Sequence, residues 1–170
     1  IINHRQPGAA TPSTVEGPFH IANSPELADG ANMAEGAPCI PCFVTGKISD
    51  LDGKPVAGAM LDMWQTDGDG LYEAQVEGAE GYMRGIYHSN PDGSYSVRTV
   101  APIGYTIPMD GPVGEVMRKT KISHMRPAHI HFSMFGPSFI NRLVTQMYFP
   151  GDPLFAYDPI YQSIPDERAR

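Results

Sequence analysis

Two histidines stand two residues apart in Met125-Arg126-Pro127-Ala128-His129-Ile130-His131-Phe132. A β-strand points successive side chains to opposite faces, so residues i and i+2 share a face. His129 and His131 then project side by side, while Ile130, Phe132 and Met134 face the other way. Such a strand offers two imidazoles to one metal ion. Taken alone, the pair reads more plainly as a half-exposed strand with two polar side chains. The decision rests on what else can reach the ion. Zinc asks for Cys or a carboxylate to complete the set. The ferrous two-histidine triad asks for Asp or Glu, and its usual place two residues on is here taken by His131. Tyrosine is the other donor. A phenol titrates near 10, but a trivalent ion favours the phenolate at neutral pH, as bound cations do for other protic ligands. Tyr72 follows the turn Asp67-Gly68-Asp69-Gly70, and Tyr105 lies in a Gly/Pro-rich loop. Neither sits in a clean apolar alternation, so for each a core or rim aromatic remains the plainer reading.

Two other constellations carry less. Cys39 and Cys42 form a lone Cys-x-x-Cys without the second pair that a structural zinc site needs. Pro38 and Pro41 interrupt it, so it does not open a helix as a redox motif should, and both residues read as ordinary loop thiols. The Asp-Gly-Asp-Gly turn lacks the Glu at position 12 and the flanking helices of a calcium loop.

The chain behind these residues is 170 long with net charge −7, enough for one domain with a sizeable core. No basic stripe suits nucleic acid. No run of about 18 apolar residues suits a membrane helix. No signal peptide is visible at the start, so the expectation is a cytoplasmic protein. Gly (18) and Pro (17) are spread without a period, which argues for many turns. Residues 1–13 read as an irregular lead-in and 22–41 as a long loop, a length that is uncommon unless functional. Strands are expected over 43–49, 56–65, 82–89, 94–100 and 142–149, besides the His129 strand. In 56–65, Leu61 and Met63 share one face, and Met60, Asp62 and Trp64 the other. Asn90-Pro91-Asp92-Gly93 signals a hairpin between its flanking strands. Residues 113–120 suit a short helix. In the tail, Asp152-Pro153, Asp158-Pro159 and Ile164-Pro165 bias the preceding residue away from helix, so the tail is expected to wrap over the surface. The pattern predicts an all-β fold, a β-sandwich with long loops and at most one or two short helices.

Six longer stretches stand out, Thr-Val-Glu-Gly-Pro-Phe (14–19), Asp-Met-Trp-Gln-Thr-Asp-Gly-Asp-Gly-Leu-Tyr (62–72), Asp-Gly-Ser-Tyr-Ser-Val-Arg-Thr-Val (92–100), Pro-Ile-Gly-Tyr-Thr-Ile-Pro-Met-Asp-Gly-Pro-Val-Gly (102–114), Arg-Pro-Ala-His-Ile-His-Phe (126–132) and Leu-Val-Thr-Gln-Met-Tyr-Phe-Pro-Gly-Asp-Pro (143–153). Together they resemble the intradiol ring-cleavage dioxygenases. They run in the family's order over most of residues 11–160. The resemblance implies a β-sandwich that holds a non-haem Fe(III) through Tyr72, Tyr105, His129 and His131. It implies that a small aromatic diol is cleaved with O2 between its two hydroxylated carbons, giving a cis,cis-muconate-type product. Tyr105 matches the ligand that leaves the metal and serves as a base. Arg126 matches a charge-stabilising arginine, and Gln146 a glutamine beside the substrate ring. Val15, Glu16, Gly17, Pro18, Phe19, Ile107 and Pro108 match pocket-lining positions. Residues 105–114 resemble hydroxyquinol and catechol 1,2-dioxygenases. Residues from 136 onward resemble protocatechuate 3,4-dioxygenase more, but no spare cation stands ready for a ring carboxylate, so hydroxyquinol or catechol is the expected substrate. The alternatives are a protocatechuate 3,4-dioxygenase-like enzyme and a non-catalytic β-sandwich binding module, the latter having no need of all four ligand positions. The helical N-terminal dimerisation domain usual in hydroxyquinol and catechol relatives has no match here. The expectation is one catalytic domain over 1–170, with the mode of any homo-oligomer left open.

Overall fold

A computed structural model of the protein describes residues 10–164. Most of the lead-in expected over 1–13, and the end of the tail from 165, lie outside the described residues. Four strands form the central sheet in the order β3 (Arg84–His88), β2 (Met60–Gln65), β7 (His129–Phe135) and β8 (Leu143–Tyr148), all antiparallel. A second sheet pairs β1 (Pro41–Lys47) with β4 (Ser94–Val100). A third, minimal ladder joins β5 (Tyr105–Thr106) to β6 (Met125–Arg126). Two short helices are present, α1 (Pro112–Thr120) and α2 (Pro159–Gln162). None among the described residues is long and apolar enough to cross a membrane.

Alternation in the strands decides where the core lies. Leu61 and Met63 of β2, Tyr87 of β3, and Ile130 and Phe132 of β7 face Val44 and Val97 of the second sheet. These side chains form one buried cluster between the two sheets, which makes the β-sandwich. The other face of the central sheet is built from the alternate residues. Across it, Arg84, Trp64, His131 and Gln146 stand in one row of cross-strand neighbours. Loops rather than a second sheet cover that face.

The structure adds to or departs from the sequence expectations at several points. The turn at 90–93 forms, with Asn90 N–H donating to Ser94 O at 2.8 Å, but its flanking strands do not pair with each other. β3 joins β2 and β4 joins β1, so the turn carries the chain from one sheet to the other. Gly93 permits this corner: its φ is +77°, and an added Cβ would lie 2.5 Å from Ile48 O. The long loop over 22–41 is laced to both sheets, through bridges Glu26↔Ile86 and Asn32↔Arg98 and a bond from Tyr87 Oη to Ala31 O at 3.1 Å. The tail does more than wrap the surface. Asp152 and Asp158 each accept a backbone N–H two residues on, and the proline that follows opens a turn of helix. Asp158 is fully buried. Strand limits shift by a few residues, and the β-region expected from 56 begins only at Met60. Cys42 lies on β1 and Cys39 in the loop before it, and both thiols are free.

Candidate metal centre

β7 raises His129 and His131 from the loop-covered face, both nearly fully buried. The N–H at Nδ1 of His129 donates to Pro127 O at 2.8 Å, which turns the lone pair of Nε2 inward. Tyr72 enters from the loop after β2. It caps a 3-10 turn, Glu73–Gln75, with its N–H donating to Gln75 Oε1 (3.0 Å) and its carbonyl accepting from Gln75 N–H (2.8 Å). Glu73 anchors that turn by pairing with Arg84 of β3 and accepting from Gly81 N–H at 3.0 Å. Tyr105 comes from β5, directly opposite Arg126 in the short β5–β6 ladder. Gly70, with φ +81°, lets the Tyr72 loop pass close to it, since a Cβ there would sit 3.2 Å from Tyr105 Cβ.

The four side chains meet at their polar tips. Tyr72 Oη lies 3.3 Å from Tyr105 Oη, 3.4 Å from His129 Nε2 and 3.2 Å from His131 Nε2. The two Nε2 atoms are 3.1 Å apart. Metal–oxygen and metal–nitrogen bonds are about 2 Å long, and four donors at that radius stand about 3 Å from one another. The spacing therefore fits four ligands around one ion. Among the described residues no group of three His, Cys, Asp or Glu converges elsewhere on a metal-sized space. The tyrosine oxygens are what completes this set.

Burial shapes the electrostatics. Desolvation, with Arg126 beside it, pushes His129 down to about 3, and His131 is lowered well below its ordinary value by burial and by His129. Both imidazoles are neutral at pH 7 and able to ligate. Burial and the neighbouring Tyr105 raise the Tyr72 phenol. A buried phenolate at this place is costly unless a cation supplies the missing attraction.

Arg126 lies against the same cluster, 4% exposed in its side chain. Its Nη1 is 3.1 Å from His129 Nε2. Nη2 donates to Gln146 Oε1 (2.9 Å), Tyr148 Oη (2.9 Å) and Asp158 Oδ2 (3.2 Å). Burial disfavours the guanidinium charge, but Tyr148 and Asp158 outweigh it and the net shift is upward. Of the expected pocket residues, Phe19 is brought to the site: its ring stacks on Tyr72 at 4.3 Å and 7°. Gly17 lies near His131, whose Cε1 is 3.9 Å from an added Cβ. Glu16 points to Arg142 (3.4 Å) and His20 (3.7 Å) at the surface. Val15 and Pro18 are exposed. Ile107 is half-buried with its N–H on His124 O, and Pro108 is exposed. The network of bonds among described residues does not link Val15, Pro18, Ile107 or Pro108 to the four donors.

Sequence reasoning missed Tyr148 and Asp158. Tyr148 had a signal, since it stands at i+2 from Gln146 on β8 and shares its face. Asp158 had only the Asp-Pro pair, which marks a helix start but not a buried partner for Arg126.

A family profile described as "Dioxygenase" matches residues 15–169. The 6-chlorohydroxyquinol 1,2-dioxygenase of Cupriavidus pinatubonensis is 42% identical over 94% of this chain and 58% of its own length. The hydroxyquinol 1,2-dioxygenase of a Rhizobium species is 41% identical over 94% of this chain and 55% of its own. The solved hydroxyquinol 1,2-dioxygenase of Pseudomonas putida DLL-E4 superposes with a TM-score of 0.83 at 41% identity, over 91% of this chain and 54% of that one. The chain thus spans a little over half the length of the relatives it matches.

Proposed function

The chain belongs to the intradiol ring-cleavage dioxygenase family, and from that premise we propose that it cleaves a catechol-type ring between its two hydroxylated carbons with O2. The observation that carries this reading is the convergence of Tyr72 Oη with the two neutral imidazole Nε2 atoms at 3.1–3.4 Å, with Tyr105 Oη 3.3 Å from Tyr72 Oη. In this reading Tyr72, Tyr105, His129 and His131 hold a non-haem Fe(III), within one catalytic domain. Bound there, the ion would supply Lewis acidity toward the diol oxygens and electron withdrawal from the ring.

The chain's own residues supply the rest. Tyr72 is 2% exposed, whereas Tyr105 is only half-buried. Tyr105, a phenolate when it ligates the ion, is therefore the residue positioned to move and to take up a diol proton at its Oη, becoming a neutral phenol. Arg126 is charged at every working pH and is fixed from three sides, so it meets negative charge that develops on the ring without reorganising. Gln146 Oε1 is engaged by both Arg126 and Tyr148 (2.7 Å), which leaves its amide N–H groups to face a ring oxygen. Phe19, stacked on Tyr72, excludes water from that side. In the same reading Val15, Glu16, Gly17 and Pro18 beside it, and Ile107 and Pro108 after Tyr105, are the residues that would line the diol pocket, although only Phe19 and Gly17 stand close to the four donors.

Hydroxyquinol or catechol is the substrate this reading favours. A ring carboxylate, as in protocatechuate, wants a free cation. Arg126 is committed to Asp158, and Arg142 to Glu16. Oxygen uptake and product spectra across catechol, hydroxyquinol, protocatechuate and chlorocatechols test the assignment. Fastest turnover of hydroxyquinol or catechol to a muconate-type product is expected. Oxygen uptake with none of them, in iron-loaded protein, contradicts the activity.

A further inference from the structure

A histidine that ligates a metal ordinarily donates its far ring N–H to a fixed acceptor, which sets the tautomer and the ring plane. His129 obeys this through Pro127 O. His131 does not: its Nδ1 is buried and has no hydrogen-bond partner among the described residues. Its ring is held differently. Trp64 lies directly opposite it in the β2–β7 ladder. The indole and imidazole are parallel within 7°, with centroids 4.8 Å apart. That is a stacked pair, whose orientation preference restrains a ring plane as a hydrogen bond does.

The indole is itself braced. The ring of His20 meets it edge-on at 4.6 Å. His20 Nε2 is 3.0 Å from Asp62 Oδ2, and Ser24 Oγ donates to Asp62 Oδ1 at 2.8 Å. Asp62 precedes Trp64 by two residues on the same strand face. On the other flank, Arg84 opposes Trp64 across β2–β3 and pairs with Glu73, the residue after Tyr72. Packing alone does not account for a tryptophan at this place. Its Nε1 is buried without a partner among the described residues, a cost that a Phe or Leu side chain would avoid.

We propose that Trp64 is a positioning residue for His131, with the indole, braced by His20 and Asp62, fixing the imidazole plane that a hydrogen bond fixes in His129. The proposal rests on the metal-centre reading above. It makes the two imidazoles unequal, one held through a bonded N–H and the other through a ring face.

The test compares Trp64→Leu, which removes the stack, with Trp64→Phe, which keeps an aromatic face. The readouts are the rate of iron release to a chelator from the loaded protein and the thermal midpoint of the metal-free protein. Iron release about tenfold faster in Trp64→Leu is expected, with Trp64→Phe within about threefold of the parent and similar metal-free midpoints for the two variants. Parent-like retention in Trp64→Leu, or equal loss in both variants, overturns the proposal. A second measurement stands even where Trp64→Leu does not fold. Trp64 is the only tryptophan of the chain, so its fluorescence reports on this stack alone. Titration of the metal-free parent with Ga(III), a redox-inert ion of ferric charge, is expected to change that emission in step with binding. Stoichiometric binding with unchanged emission overturns the stack and leaves the metal centre standing. No binding of either ion overturns both.

Discussion

Replacing Asp158 with Ala removes the carboxylate that the buried Arg126 guanidinium faces. Both side chains are nearly or wholly buried, at 4% and 0% exposure. Breaking a buried pair by deleting one partner costs about 3–5 kcal/mol, because an uncompensated charge stays inside. Here the contacts are 3.2 and 3.4 Å, longer than the roughly 2.7–2.9 Å of the strongest charge-assisted bonds. Arg126 also keeps Gln146, Tyr148 and its place beside His129. These facts put the pair term near the low end, about 3 kcal/mol. Asp158 has a second task, accepting Ile160 N–H at 3.0 Å as the cap of α2. Loss of a cap costs about 1 kcal/mol. The sum is about 4 kcal/mol, a large part of the 5–15 kcal/mol typical of a domain. Asp158→Asn keeps the cap and a neutral acceptor, so it should lose roughly half as much. Urea unfolding at pH 7 reads both, as midpoints that fall while the slope stays constant. An Ala variant within about 1 kcal/mol of the parent refutes the reasoning, since a buried guanidinium without its carboxylate should not be so cheap.

Other consequences follow from the same structure. In metal-free protein His129 and His131 are held below their ordinary value, so the unfolded chain takes up their protons first. Stability should then decline as pH falls below about 6.5, by up to about 1.4 kcal/mol per pH unit for each histidine, with the His129 share running down toward about 3, measured by denaturant midpoints at successive pH. Gly93→Ala places a Cβ against Ile48 O at a positive φ, and should lower stability by about 2 kcal/mol or more in thermal unfolding. Ser89 Oγ bonds both Val56 O and Ala59 N–H inside the core edge, so Ser89→Ala should cost about 1–3 kcal/mol by the same assay.

What the sequence made legible is what a period of two can carry. The faces of β2 and β7 were readable residue by residue: Leu61, Met63, Ile130 and Phe132 went to the core, and Trp64, His129 and His131 to the site. The tyrosines were not readable by that route. Tyr72 caps a 3-10 turn and Tyr105 sits in a two-residue strand. Their meeting with histidines up to 59 residues away depends on loop packing that no local pattern encodes. Only the likeness of whole motifs pointed to them. The turn at Asn90 was legible, but the choice of partner strand was not, because β1 and β2 compete for β4 and β3 from far along the chain. Asp158 was hidden for a similar reason: its bond to Arg126 spans 32 residues and follows from where the tail lands.

Tyr72, Tyr105, His129 and His131 are proposed to form one ferric site. Visible absorption during Fe(III) reconstitution tests it most directly, run on the parent, Tyr72→Phe and His129→Ala. The account predicts one iron per chain in the parent with a tyrosinate-to-iron charge-transfer band, and weakened iron retention in both variants. A parent that stays colourless after ferric loading, or variants that keep full iron and the full band, contradicts it.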